Sequence, residues 1–323
     1  LSGGLDSSLV AAVASEAAER EGKPVPECWT VAESEDNPDW IAAENVASSL
    51  DLIHHQKIMT EDSFVNDIPQ LSWFGEDLDV SVLFFQPLFQ EMRQHVKVGL
   101  CGQGADEIHG GYPRYKSLTE HKNLVLGRLN SIDSSVTSSI LKRDLPSNSC
   151  WYSSSLHPSD HTRNLDEMLN FELERGQLSN FQLRLVDRHS MAHSLEVRVP
   201  FLGKYHREQS YRLPTEWRLP NNGLEKAALR SAARLTGLSR DITDRPKLPA
   251  GTATSPNQLK SFLAEFSHFS KDLSNKYSKF TKVLKNQPDM ALGLGLFESL
   301  HIIEPTHKRS KFSIESLIEE VLA

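Results

Sequence analysis

The sequence predicts an α/β fold: a parallel sheet flanked by helices in the first third, followed by a mostly helical C-terminal half. Three observations predict it. Short apolar runs alternate with segments of helical period up to about residue 116. Two glycine-rich turns adjoin those runs, and helical signals dominate from Thr162 onward.

The first helix is predicted from Ser7 to Glu21, because Leu9-Val10-Ala11-Ala12-Val13-Ala14 are good helix formers behind a Gly/Ser/Asp entrance. Cys28-Trp29-Thr30-Val31 reads as a short strand, followed by the turn-rich stretch Glu33 to Pro38. Trp40 to Leu50 has helical periodicity and Leu52 to Ile58 reads as a second strand. Val80 to His95 reads as a helix, and Val96 to Cys101 as a buried strand. Strands separated by helices pair in parallel through right-handed crossovers. Ligands of such sheets bind beyond the carboxyl ends of the strands, where both glycine turns fall. Residues 117–160 are Ser/Asn-rich, with weak periodicity and no legible motif. Helices follow at Leu165–Arg175, Leu178–Ser194 and Leu224–Thr236, and Pro246 and Pro249 bracket a loop. The reading divides the chain into residues 1–255 (1–116 the nucleotide-binding sheet, 117–255 mainly helical) and a tail, 256–323, of three or four helices with Lys-rich faces.

Composition narrows the function. The chain has 323 residues, 38% of them hydrophobic, enough for a real core. A net charge of −8 without basic runs argues against nucleic acid as a partner. No apolar stretch approaches the roughly 20 residues of a membrane helix, and no secretory signal is visible. Cys28, Cys101 and Cys150 are odd in number and far apart, so reduced thiols and a cytoplasmic location are expected. No cysteine pair has metal-ligand spacing, and His54-His55 reads as surface or core rather than as ligands. The glycine turn at the very start should follow a buried strand, so the reading expects an upstream region outside this chain.

The start itself, Leu1-Ser2-Gly3-Gly4-Leu5-Asp6-Ser7-Ser8, reads as a phosphate cradle. Glycines let backbone N–H groups turn toward an anion, and a helix N-terminus offers unpaired donors and partial positive charge. Asp6 would repel phosphate unless a cation lay between them, which suggests Mg²⁺. The pattern is neither the Walker loop nor Gly-x-Gly-x-x-Gly. It resembles Ser-Gly-Gly-x-Asp-Ser, the pyrophosphate loop of the ATP-pyrophosphatase superfamily, whose members cleave ATP between the α and β phosphates.

A second glycine loop, Cys101-Gly102-Gln103-Gly104-Ala105-Asp106-Glu107-Ile108-His109-Gly110-Gly111-Tyr112, follows the predicted strand, and a third segment runs from Leu185 to Leu202. Together the three segments resemble the synthetase domain of glutamine-dependent asparagine synthetases, in order and at similar separations. That family includes β-lactam synthetases and lasso-peptide cyclases, and its members activate a carboxylate as an acyl-adenylate. The resemblance implies a sheet of the adenine-nucleotide α-hydrolase type. It implies ATP contacts from Ser2, Gly3, Gly4, Asp6, Ser7, Val31, Gly102, Gln103 and Gly104, and Mg²⁺ on Asp6 and Asp106. Gly223 to Arg230 is similar to the family's Glu-Lys-x-x-Leu-Arg helix start, and Arg245-Pro246-Lys247 to the lysine loop of the β-lactam synthetase branch. Lys226 and Lys247 are thereby expected on phosphate, with Glu225 a candidate base for the attacking amine. Asp187, Arg188, Glu196 and Arg198 are expected as an ion-pair scaffold under the site.

The chain also departs from the family. Gln103 stands where asparagine synthetases often have Glu, and an amide is no base. Residues 79–87 lack the family's Arg and carry Phe84 and Phe85, two residues also suited to a core. Gly203 replaces an Asp. The expectation is therefore an ATP- and Mg²⁺-dependent amide-forming ligase acting on a small carboxylic acid, with ammonia or an amine from a donor. An upstream glutaminase domain is one such donor, and a homodimer is one arrangement. A β-lactam synthetase-like or peptide-cyclising enzyme is the alternative. A sulfur- or tRNA-modifying relative should show a basic surface or catalytic cysteines, and neither is visible. A degenerate binding protein would have lost Asp6, Asp106 or Lys247, and all three are present.

Overall fold

The computed structural model describes residues 1–82, 85–141, 161–174, 176–220, 222–247 and 256–323. Helix α1 spans Leu5–Arg20, entered through Gly4. Strand β1 (Cys28–Ala32) is buried along its length, and α2 (Pro38–Ser49) starts with Pro38 in its first turn while the Asn37 side chain accepts from the Asp39 N–H. Strand β2 (His54–Ile58) runs parallel to β1, with Cys28 opposite His54.

Helix α3 (Glu61–Gly75), capped by Thr60, has no counterpart in the sequence reading. Pro69 inside it breaks the pattern of a helix former. Helix α4 is shorter than predicted, Phe85–His95, because Asp79 accepts from the Ser81 N–H and hydroxyl and holds a turn ahead of it. Strand β3 is only Val98–Leu100, and it is not the buried strand expected: Val98 is 41% and Leu100 47% exposed.

After β3 come α5 (Ala105–His109), a 3₁₀ turn at Pro113–Lys116, α6 (Leu118–Asn130) and α7 (Ser134–Leu141). The weakly periodic stretch is thus helical up to Leu141. Helix α8 is His161–Glu174, and a π turn (Leu178–Gln182) leads into α9 (Leu183–Met191). Strand β4 (Glu196–Arg198) pairs in parallel with β3. Among the described residues four short helices follow: α10 (Lys204–Ser210), α11 (Thr215–Arg218), α12 (Ala227–Ala233) and α13 (Arg240–Thr243). The tail holds five, not three or four: α14 (Pro256–Glu265), α15 (Ser267–Lys276), α16 (Thr281–Lys285), α17 (Pro288–Phe297) and α18 (Ile314–Leu322).

One continuous sheet was expected; among the described residues there are two parallel ladders of two strands, β1–β2 and β3–β4. An apolar trough separates them, with Cys28 and Trp29 on one bank and Val98–Cys101 on the other. The Leu1 amino group donates to the Trp29 carbonyl at 2.5 Å and Thr30 Oγ1 donates to the Leu1 carbonyl at 2.7 Å, so the first residue lies along β1 within this gap.

Two cores position the site. Leu5, Leu9 and Ala12 of α1 pack on Val46 of α2, Leu229 of α12 and Ile242 of α13, which fixes the first glycine turn against the chain's two distant lysines. Phe64, Ile68 and Leu71 of α3 pack on Phe262, Leu273, Leu296 and Ile318 of the tail, so the tail helices share a core with the N-terminal third. Among the described residues no helix is long and apolar enough to cross a membrane.

Candidate active site

The turn before α1 is built by close approach. Gly3 adopts φ +64°, and a Cβ there would lie 2.4 Å from Ala42 Cβ and 2.5 Å from its backbone carbon, so only glycine lets the turn pack onto α2. Ser2 Oγ lies 3.0 Å from Ser7 Oγ. The Gly4 cap brings no side-chain acceptor to the first turn of α1, whose N–H groups are therefore open to an anion.

The second glycine turn meets the first. A Cβ on Gly102 would sit 2.8 Å from Asp6 Cβ, and α5 then carries Asp106 inward, 6% exposed. Gly104 (φ +90°) instead makes room for Leu202, whose Cδ2 would lie 2.4 Å from a Cβ. At Gly111 a Cβ would fall 2.0 Å from both Asp106 Oδ1 and Lys226 Cε. That glycine leaves the space through which Lys226 reaches the carboxylates.

Lys226 is the centre of the arrangement. It holds φ +57°, unusual for a lysine, which ends the approach to α12 three residues later than Leu224 and aims the side chain inward. Its Nζ lies 2.7 and 2.6 Å from the two Asp6 oxygens and 2.6 Å from Asp106 Oδ1. Lys247 Nζ stands at the rim, 2.9 Å from Asp106 Oδ2 and 3.7 Å from Asp6 Oδ2. Two carboxylates and two ammonium groups thus balance in one cluster. Burial works to raise the Asp106 pKa, but the two lysines bring it below the usual carboxylate range. Lys247 is pushed up: its burial opposes the shift, and Asp106 and Asp6 outweigh that.

Three residues lie behind the cluster: Glu107, which the sequence reads only as a further carboxylate of the second glycine loop, and Tyr112 and Gln182, to which it gives no role. Glu107 is fully buried and its pKa is raised to about 7, by burial and by the neighbouring Asp106. It accepts from Tyr112 OH at 3.0 Å, and Gln182 Nε2 donates to the same hydroxyl at 2.7 Å. The Tyr112 ring also faces cations, Arg114 at 4.0 Å and Lys247 Nζ at 5.8 Å from its centroid. The available signal was the Glu directly after Asp106 and the Tyr directly after the glycine pair.

Glu225 is engaged elsewhere. Arg230 Nη2 donates to its Oε1 at 2.5 Å, and the Lys247 N–H donates to the same oxygen at 3.2 Å. Burial works to raise its pKa, but backbone donors and Arg230 leave it lowered. Arg230 also donates to the carbonyls of Thr243 and Arg245, at 2.7 and 2.9 Å. Arg245 in turn reaches Asp39 at 2.7 Å and the Ser2 carbonyl at 3.3 Å. Glu225 and Arg230 therefore clamp the lysine loop onto the first glycine turn.

Ser2, Gly4, Asp6, Ser7, Val31, Gly102, Gln103, Asp106, Lys226 and Lys247 all line one crevice of about 620 Å³, which continues into the apolar trough. Gly3, Gly104 and Glu225 lie behind its wall. Phe85 lines it too, stacked on Phe89 at 5.1 Å, whereas Phe84 falls outside the described residues. The third segment does not form the scaffold expected of it. Glu196 and Arg198 pair with each other at 2.9 Å on the surface, 59% and 62% exposed, and Arg188 pairs with Glu76 and the Gly75 carbonyl. Their strand is an edge of the short β3–β4 ladder, so their side chains face solvent. The segment's buried contributions include Phe201 in the α1 core, Leu202 against Gly104, and His189, whose Nδ1 lies 2.7 Å from Gln86 Nε2 in the interior.

Two small ladders, a glycine turn at a helix entrance and a carboxylate–lysine cluster thus meet at one crevice. The family model for asparagine synthase matches residues 1–284, and the chain belongs to the asparagine synthase family. It is 26% identical over 280 residues to asparagine synthetase [glutamine-hydrolyzing] 1 of Bacillus subtilis (strain 168), covering 72% of this chain and 43% of that protein. Identity to asparagine synthetase [glutamine-hydrolyzing] 3 of the same organism is 28% over 293 residues, covering 80% and 45%. To the asparagine synthetase [glutamine-hydrolyzing] of Gallus gallus it is 28% over 256 residues, covering 76% and 38%. The chain thus spans less than half the length of these curated relatives.

Proposed function

We propose that this chain is the ATP-dependent ligase part of an amide-forming enzyme. The observation that carries the reading is the convergence of Asp6 and Asp106, from two separate glycine turns, on Lys226 with Lys247 at the rim. The α1 entrance would receive the phosphates of ATP, and Val31, in the crevice wall at the end of β1, would lie near the adenine. Converging carboxylate oxygens suit Mg²⁺, a hard cation with oxygen ligands. Asp6 and Asp106 would hold it, and when bound it neutralises charge on the β- and γ-phosphates.

In the proposed reaction a carboxylate oxygen of the substrate attacks the α-phosphorus and the bond to the β-phosphate oxygen breaks, releasing pyrophosphate. Ammonia or an amine then attacks the acyl carbon, the bond to AMP breaks and a proton leaves the nitrogen. Lys247, half-open beside Asp106, is placed to stabilise negative charge as it moves onto the leaving groups, an effect typically worth a few kcal/mol. Glu225 is assigned to holding the Lys247 loop rather than to taking the proton. Glutamine as the nitrogen source belongs to this proposal through the named relatives. A β-lactam synthetase-like or cyclising reaction is the second reading, favoured by Gln103 and by Phe85 on the crevice wall where the family's Arg is missing.

Pyrophosphate release by the full-length protein, from ATP and Mg²⁺ with a panel of carboxylic acids and with or without ammonia, tests the proposal. Release dependent on one acid, lost in Asp6→Ala and Lys247→Ala, supports it. Release unaffected by Asp6→Ala refutes the site, and release confined to aspartate refutes the second reading.

A further inference from the structure

A second group of polar side chains lies at the amino ends of the strands, with Glu27 on the wall of the crevice that the glycine turns also line. Glu27 directly precedes β1, His55 sits in β2 opposite Trp29, and His95 closes α4. One donor atom from each, a Glu27 carboxylate oxygen and a ring nitrogen of each histidine, all lie within 4.8 Å of one another. Glu27 Oε2 already touches His55 Nε2 at 2.7 Å.

The rings are held in place by packing. His55 stacks on Trp29 with centroids 4.8 Å apart at 11°, and His95 lies 4.5 Å from His55 and 6.0 Å from Trp29. His95 is in the last turn of α4, where the helix dipole favours a cation. Glu91, one turn earlier, places Oε1 3.8 Å from His95 Nε2 and adds a second carboxylate. Neither lysine of the nucleotide site belongs to this group.

We propose that Glu27, His55 and His95 form a divalent transition-metal site that takes Zn²⁺. Two imidazoles and one carboxylate are a zinc donor set, and the three ligands leave a fourth position open. Zinc ligand atoms at bonds of about 2.0–2.2 Å stand closer together than 4.8 Å, so the ion draws the exposed His95 ring inward. Binding there pins the end of α4 to the β1–β2 ladder. The expected donors are hard or borderline and contain no thiolate, so Cys28 takes no part.

The test uses the tag-free full-length protein, stripped with EDTA and titrated with Zn²⁺ alone by calorimetry. One site per chain is expected in the wild type. His95→Ala and His55→Ala should weaken it by more than the roughly 10–100-fold that loss of an outer-shell partner costs, and Asp6→Asn should leave it intact. Co²⁺ should quench Trp29 fluorescence in the wild type, and a Trp29→Phe protein should lose that quenching while still binding zinc. His95→Gln serves as the surface variant whose fold is checked by circular dichroism. The proposal is overturned if the wild type binds no zinc, if zinc binding is unchanged in folded His95→Gln, or if binding is lost with Asp6→Asn instead.

Discussion

Lys226→Met isolates the role of the buried ammonium. Methionine keeps most of the volume and removes the charge. Asp6 and Asp106 are then left facing each other, with Lys247 at 2.9 Å from one and 3.7 Å from the other as the remaining cation. Lys226 is 1% exposed, so water does not screen the change. Removing one partner from a buried ion cluster costs about 3–5 kcal/mol. At roughly 2 °C per kcal/mol in a chain of this size, the melting midpoint should fall by roughly 6–10 °C. Scanning fluorimetry at low salt reads the shift. Mg²⁺ should restore part of it in the variant, because a cation then stands between the carboxylates. Asp6→Asn in the Lys226→Met background should also restore stability, since it removes one of the two repelling charges. A midpoint within a degree or two of wild type would refute the electrostatic account, as would a double variant as unstable as the two single losses added.

Gly111→Ala places a methyl group 2.0 Å from Asp106 Oδ1 and Lys226 Cε; overpacking of about 1–3 kcal/mol and a loss of pyrophosphate release are expected, read by fluorimetry and the release assay. Glu107 binds its proton more tightly folded than unfolded, so wild-type stability from this group is full below about pH 4.5 and is lost as pH rises through about 7. Glu107→Gln should remove that loss, gaining on the order of 3 kcal/mol over wild type at pH 8 and nothing at pH 4, as denaturant melts would show. A gain equal at both values would refute the assignment. Glu225→Gln should loosen the lysine loop and lower the rate of pyrophosphate release in the wild-type background, but add little further loss to Lys247→Ala; additive losses would separate the two residues.

Much of the site was legible because its chemistry is local. Gly3, Gly102 and Gly111 are needed where backbones or side chains approach within van der Waals distance, and such positions mark themselves in the sequence. Asp6 and Asp106 follow directly from those turns. What failed depends on distant partners. Glu225 reads in the sequence as a possible base or a helix-dipole partner, and a helix-start carboxylate gives no hint that Arg230 and the Lys247 N–H will occupy it. Glu196 and Arg198 looked like buried scaffold because alternation with Val197 cannot say which face of β4 meets solvent. Pro69 hid α3, and the Val96–Cys101 run predicted burial that the open flank of β3 does not supply.

The charge balance of the cluster bears on how a nucleotide would enter. Two carboxylates and two ammonium groups neutralise one another within the cluster. Under the proposed function, polyphosphate with a divalent cation would replace these contacts: the carboxylates would turn to the metal and the lysines to the phosphates. Lys247 stands at the rim, its backbone N–H held by Glu225 and its ammonium paired with Asp106. Lys226 is buried. Its left-handed backbone and the space left by Gly111 hold it between the two carboxylates. One fixed and one movable lysine would follow from these constraints, with the second glycine of the pair leaving the room that the fixed one needs.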